Sequence, residues 1–462
     1  MLEKTLSCFK AYDIRGRVPD SLDGSVAWAL GYAFARNFAA RSVVVGRDAR
    51  LSGPALCAAL AKGLDEGGSR VTDIGLCGTE EIYYAASRQG FDGGVMITGS
   101  HNPADENGFK LVRGGAVPVS ADSGLGALKA AVGDLLNAAP PMQTSRHPPP
   151  RTRRLSFRKE YVRWLAEYSR AHPPVRNPLK ILADAGNGCA GLVLAELAPL
   201  LPFELVFRQM EADGHFPNGV PNPLLPERRE GTARAVRESG ADMGIAFDGD
   251  FDRCFFYDSG GNFIEGYYCI GILAKELLRH RPGGKIIHDP RVYWNTREIV
   301  LAAGGVPVMG KTGHAFIKEK MRAENALYGG EMSAHHYFRD FAFCDSGMLP
   351  WLLVASLLSR TRQSLAELAA ERMAVWPCSG EINRRVPDAG KVMQRIRDRY
   401  AADALHEDRL DGVNLEFRDW RFNLRMSNTE PILRLNVESR ANRALLEDKT
   451  AELLERIDAH AG

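Results

Sequence analysis

Three times along the chain a short apolar run ends on an aspartate. Each time two further apolar runs follow, and then a polar loop containing glycine. The first runs are Ser42–Asp48 (SVVVGRD), Lys180–Asp184 (KILAD) and Lys285–Asp289 (KIIHD). The second are Val71–Gly75, Glu204–Met210 and Val306–Gly310, and the third are Gly94–Thr98, Met243–Phe247 and Ala326–Tyr328. The loops beyond them are TGSHNP, DGDFDR and GGEMSAHH. Short apolar strands alternating with helix-like stretches are the signature of α/β layers. Three similar α/β units, each presenting one functional loop after its third strand, account for the recurrence. After about Ala374 the three-strand pattern stops and a segment of different character begins.

The length of 462 residues suits about three domains and gives room for several sizeable cores. With 45% hydrophobic and 25% charged residues, disorder and fibrous repeats are excluded as overall descriptions. Lys and Arg number 59 against 57 Asp and Glu, a net charge of +2, so no bulk basic field exists to hold nucleic acid or a membrane surface. The N-terminal MLEKTLSCFKAYDIRG has no apolar core for a signal peptide. The longest uncharged apolar stretch, Ser346–Ser359, contains Pro350 and is short of the ~20 residues a bilayer requires, which predicts a buried helix. Eight cysteines at positions 8, 57, 77, 189, 254, 269, 344 and 378 form no CxxC pair. That pattern predicts reduced thiols in a soluble cytoplasmic protein. The segment Ala138–Arg154, with five prolines and an arginine cluster, reads as an extended, solvated linker.

The loops carry the chemistry. In Thr98-Gly99-Ser100-His101-Asn102-Pro103, Gly99 permits an unusual backbone turn, Ser100 offers a hydroxyl to a transferred group, and Pro103 stiffens the exit. A capped strand-to-helix turn would look the same in isolation, and His101 need not face Ser100 as a base. Lys110, soon afterwards, is a cation suited to a phosphate. Asp248, Asp250 and Asp252 alternate, so extended backbone would put all three carboxylates on one side, converging on a hard cation. The loop is not an EF-hand, since its sixth position is Arg253 and its twelfth Ser259. Glu331 and Ser333 suit vicinal sugar hydroxyls, which need paired acceptors and donors. Near the C-terminus, Arg425, Ser427, Asn428 and Thr429 combine a guanidinium with hydroxyl and amide donors, a mix that fits a dianionic phosphate. His314, after Lys311-Thr312-Gly313, suits either that layer edge or a satisfied core position.

The order of FKAYDIRG (9–16), TGSHNP, DGDFDR, GEMSAHH and RMSNTEP along one chain resembles the α-D-phosphohexomutase family, and within it the bacterial phosphomannomutase/phosphoglucomutase enzymes. The resemblance covers essentially the whole chain. It implies an α/β fold of three related α/β domains with mixed sheets plus a C-terminal α+β domain, around a central cleft. The boundaries expected are 1–150, 151–260, 261–372 and 373–462. It implies that Ser100 is the phosphoserine and that Asp248, Asp250 and Asp252 bind Mg²⁺ together with a phosphoserine oxygen. Glu331 and Ser333 would hold two sugar hydroxyls, and Arg425, Ser427, Asn428 and Thr429 the substrate phosphate. Tyr12, Arg15, Lys110, Arg253, Arg291, His314 and His335 would line the cleft. Two positions depart from the family pattern: Arg291 is often lysine, and Ala334 is glycine in many relatives.

The implied reaction is reversible transfer between the 1- and 6-phosphates of a hexose, mannose or glucose, through a hexose 1,6-bisphosphate. Glucose or mannose 1,6-bisphosphate would act as activator, and Arg15, Lys110, Arg253 and the cation would neutralise the charge of in-line transfer. His335 and Lys110 are the candidates for proton transfer. The resemblance is compatible with a monomer or a homodimer. A phosphoglucosamine mutase would tend to have Gln-Ser where this chain has Met332-Ser333. A Mg²⁺-dependent phosphatase would use the same serine and aspartates but release free sugar. A non-catalytic binding protein predicts loss of Ser100 or the aspartates, and all are present.

Overall fold

The computed structural model describes residues 6–10, 13–138, 152–172, 176–426 and 432–459. The chain divides into two compact bodies, residues 1–263 with 337–362 and residues 264–336 with 363–462.

In the first body, β1 (Ile14–Arg17), β2 (Ser42–Arg47), β3 (Arg70–Leu76), β4 (Gly93–Ile97), β5 (Glu106–Arg113), β6 (Val117–Pro118) and β7 (Thr152–Arg154) form one sheet. Its order is β1-β5-β4-β2-β3-β7, with β6 on β5. Strands β4, β2, β3 and β7 run parallel, and β5 turns back antiparallel. β2 lies in the middle and is buried from Val43 to Gly46, as a parallel strand covered on both faces must be. Helices Gly24–Asn37 and Gly53–Glu66 pack Val26, Leu30, Phe34, Leu60 and Leu64 into one core with Val43, Val45, Val95 and Ile97. The first of these helices starts where Asp23 accepts the amides of Ser25 and Val26. Thr152–Arg154 corrects the linker expectation, because these residues pair with Val71–Asp73 as an edge strand; residues 139–151 of that segment lie outside the described residues.

A second sheet in this body runs β12 (Phe263–Ile264), β11 (Cys254–Asp258), β10 (Met243–Phe247), β8 (Lys180–Asp184), β9 (Glu204–Arg208). Again the first strand of the trio, β8, sits between the second and the third, both parallel to it, and the next strand turns back antiparallel. Further along the chain, β16 (His336–Phe338) pairs antiparallel with β17 (Cys344–Asp345). The apolar stretch read as a buried helix is Met348–Thr361, with Met348–Ser356 fully inside. Its N-terminus is held by the buried Glu80, whose carboxylate accepts from Gly347 N at 2.8 Å and Ser346 Oγ at 2.5 Å.

In the second body the trio recurs as β14 (Val306–Met309), β13 (Lys285–His288), β15 (Tyr328–Gly330), all parallel. The third strand starts two residues later than Ala326–Tyr328. Its glycines are strand, not loop: a Cβ on Gly329 would lie 2.9 Å from Met321 Sδ, and one on Gly330 2.6 Å from Ile270 Cγ1. They are small because helices Gly266–His280 and His314–Glu324 close over the strand.

The C-terminal sheet is fully antiparallel: β18 (Ile382–Arg385), β22 (Ile432–Ser439), β21 (Trp420–Met426), β20 (Val413–Glu416), β19 (His406–Asp408). Along β21 and β22, Phe422, Leu424, Leu433, Leu435 and Val437 alternate with Arg421, Asn423, Arg434, Asn436 and Glu438. The apolar set packs on helices Ala389–Tyr400 and Arg443–Ala459 through Ile396, Leu453 and Ile457. From the polar set, Arg421 and Glu438 bond to the preceding trio's side of the chain. Arg421 donates to Pro290 O at 2.8 Å and Arg291 O at 2.9 Å, and Glu438 accepts from Tyr293 N at 2.9 Å and from Tyr267 Oη. The expected architecture is therefore present: three related α/β units and an α+β segment. All eight cysteines are free of disulfides, and among the described residues no helix is long and apolar enough to cross a membrane.

Candidate active site

The sequence candidates form two groups, one in each body. In the first, Asp48 stands just beyond β2 and organises the turn that follows β4. Its carboxylate accepts from Thr98 Oγ1 at 2.6 Å, Gly99 N at 3.2 Å and Arg50 N at 3.0 Å. Thr98 Oγ1 accepts in turn from Ser100 N at 2.7 Å. The left-handed residue is Ser100, with φ 50°, and not Gly99. Gly99 supplies room instead, since a Cβ there would lie 2.3 Å from Arg50 Cζ. Ser100 is buried, its hydroxyl donates to Asp248 Oδ2 at 2.7 Å, and its Oγ lies 3.1 Å from His101 Nδ1. The histidine thus does face the serine.

The three aspartates follow β10, are fully buried, and place ligand atoms within 4.8 Å of one another. Extended alternation is not what gathers them. Phe251 N donates to Asp248 O at 3.1 Å, and Phe251 is left-handed at φ 47°, so the loop is a tight turn. Lys110 on β5 donates to Asp250 Oδ2 at 2.6 Å and to Asp252, so in this structure the expected phosphate cation faces the carboxylates. Thr79 Oγ1 donates to Asp250 at 2.5 Å, and Arg253 grips Asp248 through Nε at 2.9 Å and Nη2 at 2.8 Å. Arg15 bonds Asp13 at 2.8 Å and the Thr98 carbonyl.

Burial pushes the Asp250 carboxyl up, but Lys110 and Arg15 outweigh it and hold the group far below the usual carboxylate range. For Lys110, burial is outweighed by Asp250 and Asp252, which keep it an ammonium. Burial, with the Arg253 and Arg15 guanidinia nearby, holds the His101 imidazole well below its usual range, hence neutral. Asp248 Oδ1 and Asp250 Oδ1 are buried and accept no hydrogen bond. Buried acceptors left unmet are costly, and an all-carboxylate donor set suits a hard divalent cation. The cluster fits such an ion.

In the second body, Asp289 repeats the part played by Asp48. Just past β13, it accepts from Arg291 N at 2.9 Å, Arg291 Nη2 at 2.6 Å and the loop amide Met332 N at 2.8 Å. Glu331 accepts from Gly313 N at 2.8 Å and lies 3.8 Å from Arg291 Nη2, which is 3.4 Å from Ser333 Oγ. Ala334 is left-handed, φ 68°, the conformation that a glycine takes without cost. His314 opens helix His314–Glu324, with its ring centroid 6.3 Å from that of His335. Glu381 accepts from Arg425 Nη2 at 3.0 Å and Arg434 Nη1 at 3.2 Å, and lies 3.5 Å from Arg291 Nη1. Burial opposes its charge, but the three arginines hold its carboxyl down to about 2. Tyr12, Ser427, Asn428 and Thr429 lie outside the described residues.

Sequence reasoning attached no role to Asp48, Arg50, Thr79, Asp289 or Glu381. A signal was present for three of these residues, Asp48, Arg50 and Asp289: Asp48-Ala49-Arg50 and Asp289-Pro290-Arg291 repeat one Asp-x-Arg spacing after the first strand of a trio.

Four family models match in chain order. Phosphoglucomutase/phosphomannomutase alpha/beta/alpha domain I matches residues 7–129, domain II 159–261, domain III 265–376, and the C-terminal domain 381–456. The chain is 54% identical over 449 residues to the phosphohexose mutases of Xanthomonas campestris pv. campestris, covering 97% of this chain and 98% of that one. It is 53% identical over 456 residues to the phosphomannomutase of Salmonella typhimurium, covering 97% and 98%. A crystal structure of a phosphoglucomutase/phosphomannomutase family protein from Burkholderia thailandensis superposes with a TM-score of 0.85 at 32% identity, over 99% of each chain.

Proposed function

Because the chain belongs to the phosphoglucomutase/phosphomannomutase family, we propose that it interconverts hexose 1-phosphates and hexose 6-phosphates, of mannose or glucose, through a phosphoserine at Ser100 and a hexose 1,6-bisphosphate. The observation that supports this most is the placing of the Ser100 hydroxyl on Asp248, within the buried carboxylate cluster that Lys110 and Arg253 also bond.

Asp248, Asp250 and Asp252, with an oxygen on Ser100, would hold Mg²⁺, which when bound neutralises charge on the phosphoryl oxygens. Ser100 gives its phosphoryl group to the free hydroxyl of the sugar and later takes back the other phosphate. Arg15, Lys110 and Arg253 stabilise the transferring group, since in-line transfer depends on alignment and charge more than on covalent help. Glu331 and Ser333 bind two sugar hydroxyls. Arg425, Ser427, Asn428 and Thr429 bind the phosphate not in transfer, and Tyr12, Arg291 and His314 complete the substrate contacts. His335 and Lys110 are assigned to proton transfer. Glucose or mannose 1,6-bisphosphate serves as activator by restoring the phosphoserine. Domains 1–150, 151–260, 261–372 and 373–462 carry these tasks, phosphoserine, metal, sugar and phosphate in turn, in a monomer or homodimer.

The test is ³¹P NMR of the purified protein with Mg²⁺, a trace of glucose 1,6-bisphosphate, and mannose 1-phosphate or glucose 1-phosphate in separate tubes. Conversion to the 6-phosphates is the expected outcome, and the ratio of rates names the preferred sugar. Accumulation of inorganic phosphate instead would replace the mutase with a phosphatase.

A further inference from the structure

Arg50 has no part in the reading above, yet it is among the most buried charged groups of the chain at 1% exposure. Its guanidinium donates to four main-chain carbonyls, three in the loop and one at the start of β5: Ser100 O at 3.0 Å, Asn102 O at 2.6 Å, Pro103 O at 2.5 Å and Glu106 O at 2.7 Å. Its Nε lies 3.3 Å from Asp48 Oδ2, and its Cζ 5.4 Å from the centroid of the Phe216 ring. Burying a cation costs several kcal/mol unless its donors are met. Here Nη1 and Nη2 are met by those four carbonyls, while Nε makes no hydrogen bond and has only the Asp48 charge beside it, so satisfying the arginine fixes the path of the segment that carries Ser100.

Two further observations make this more than a filled void. Ser100 holds a left-handed backbone, which an L-residue keeps only where its surroundings impose it, and Arg50 binds the carbonyl of that same residue. The Asp289–Arg291 pair is built alike, with the arginine amide on the aspartate at 2.9 Å against 3.0 Å and the arginine Nε at 3.1 Å against 3.3 Å. Arg291 spends its remaining donors on side chains, and Arg50 spends them on main chain.

We infer that Arg50 is a positioning residue for phosphoryl transfer at Ser100, holding the loop so that the serine hydroxyl sits on Asp248. It acts through the loop carbonyls and not on the substrate. The inference rests on Ser100 as the phosphoryl carrier. A planar fork of five donors can span four carbonyls, and a single ammonium cannot.

The test compares Arg50→Lys and Gly99→Ala with the wild type. Gly99→Ala keeps the arginine but places a methyl group 2.3 Å from its Cζ, displacing the fork. For each protein the phosphoserine content is measured by intact mass after incubation with glucose 1,6-bisphosphate, and kcat is expressed per phosphorylatable site. A role in folding alone lowers the number of sites and leaves kcat per site unchanged. The expected result is a kcat per site lowered by about 100-fold, as for misplacement of a reacting group by ~1 Å, with KM for the hexose phosphate unchanged. A kcat per site equal to the wild type's in Arg50→Lys overturns the inference. Where that variant does not fold, the same equality in Gly99→Ala overturns it. A wild type that forms no phosphoserine removes the premise, and the proposed function falls with it; a competent wild type matched by its variants overturns the role of Arg50 alone.

Discussion

The loop after β4 and the loop after β15 are built from the same parts. In each, an aspartate just past the first strand of a parallel trio accepts the amide of an arginine two residues on and an amide of the loop, Gly99 in one and Met332 in the other. Each contains one left-handed residue that is not glycine, Ser100 or Ala334, and the loop after β10 has its own in Phe251. They part company at the arginine. Arg50 is closed in by main-chain carbonyls, whereas Arg291 faces Asp289, Glu331, Glu381 and Ser333. Where a loop leaves a sheet is thus a property of the repeated fold. In the proposed function, whether it offers a nucleophile or reads a ligand depends on a few side chains placed on it.

This contrast sets the expected size of each perturbation. Ser100→Ala should cut mutase turnover by at least about 10³-fold, while calorimetry still detects hexose phosphate binding. Chelation of the divalent cation should lower turnover by about 10²- to 10³-fold, and added Mg²⁺ should restore it; full activity in chelator would dissociate the aspartate cluster from catalysis. Glu331→Ala, on the ligand-reading side, should lower kcat/KM by about 10²-fold yet leave the phosphoserine content measured by intact mass unchanged. If it abolished phosphoserine formation, the division of labour between the loops would be wrong.

The smaller effects concern stability. Glu381 has a folded pKa of about 2, below the ordinary 4.5, so its contribution is present above pH 4.5 and lost as pH falls toward 2. Glu381→Gln should therefore cost about 1–3 kcal/mol in urea unfolding at pH 7, and the gap to wild type should narrow on acidification. Ala334→Gly should do the opposite, adding up to about 1 kcal/mol by relieving the left-handed alanine, with no dependence on pH.

Much of this was legible in the sequence. Apolar runs marked the first and third strands of the trios because buried parallel strands must be continuously apolar, and the loops stood out because each begins near where such a run ends; β9 and β14, at the sheet edges, are apolar without being buried. Gly329 and Gly330 misled because a glycine pair signals a turn, whereas here it marks strand backbone beneath two helices. Gly99 was assigned the unusual backbone because glycine adopts it at no cost, yet the strain fell on Ser100. The contacts of Arg50 and Glu381 were invisible for a common reason. Their partners are carbonyls and arginines brought from distant positions, and no local pattern encodes a partner 50 residues away.

The alternation in β21 and β22 has one further result. The C-terminal sheet keeps its oil on the side of its own two helices and meets the preceding trio and its loop through Arg421, Asn436 and Glu438. Hydrogen bonds of this kind, made chiefly by charged groups, are exchanged for water at a net cost of about 1.5–3 kcal/mol each. Severed from the rest, the sheet and its helices would therefore show a wettable surface and an intact interior, the two things an autonomous folding module needs.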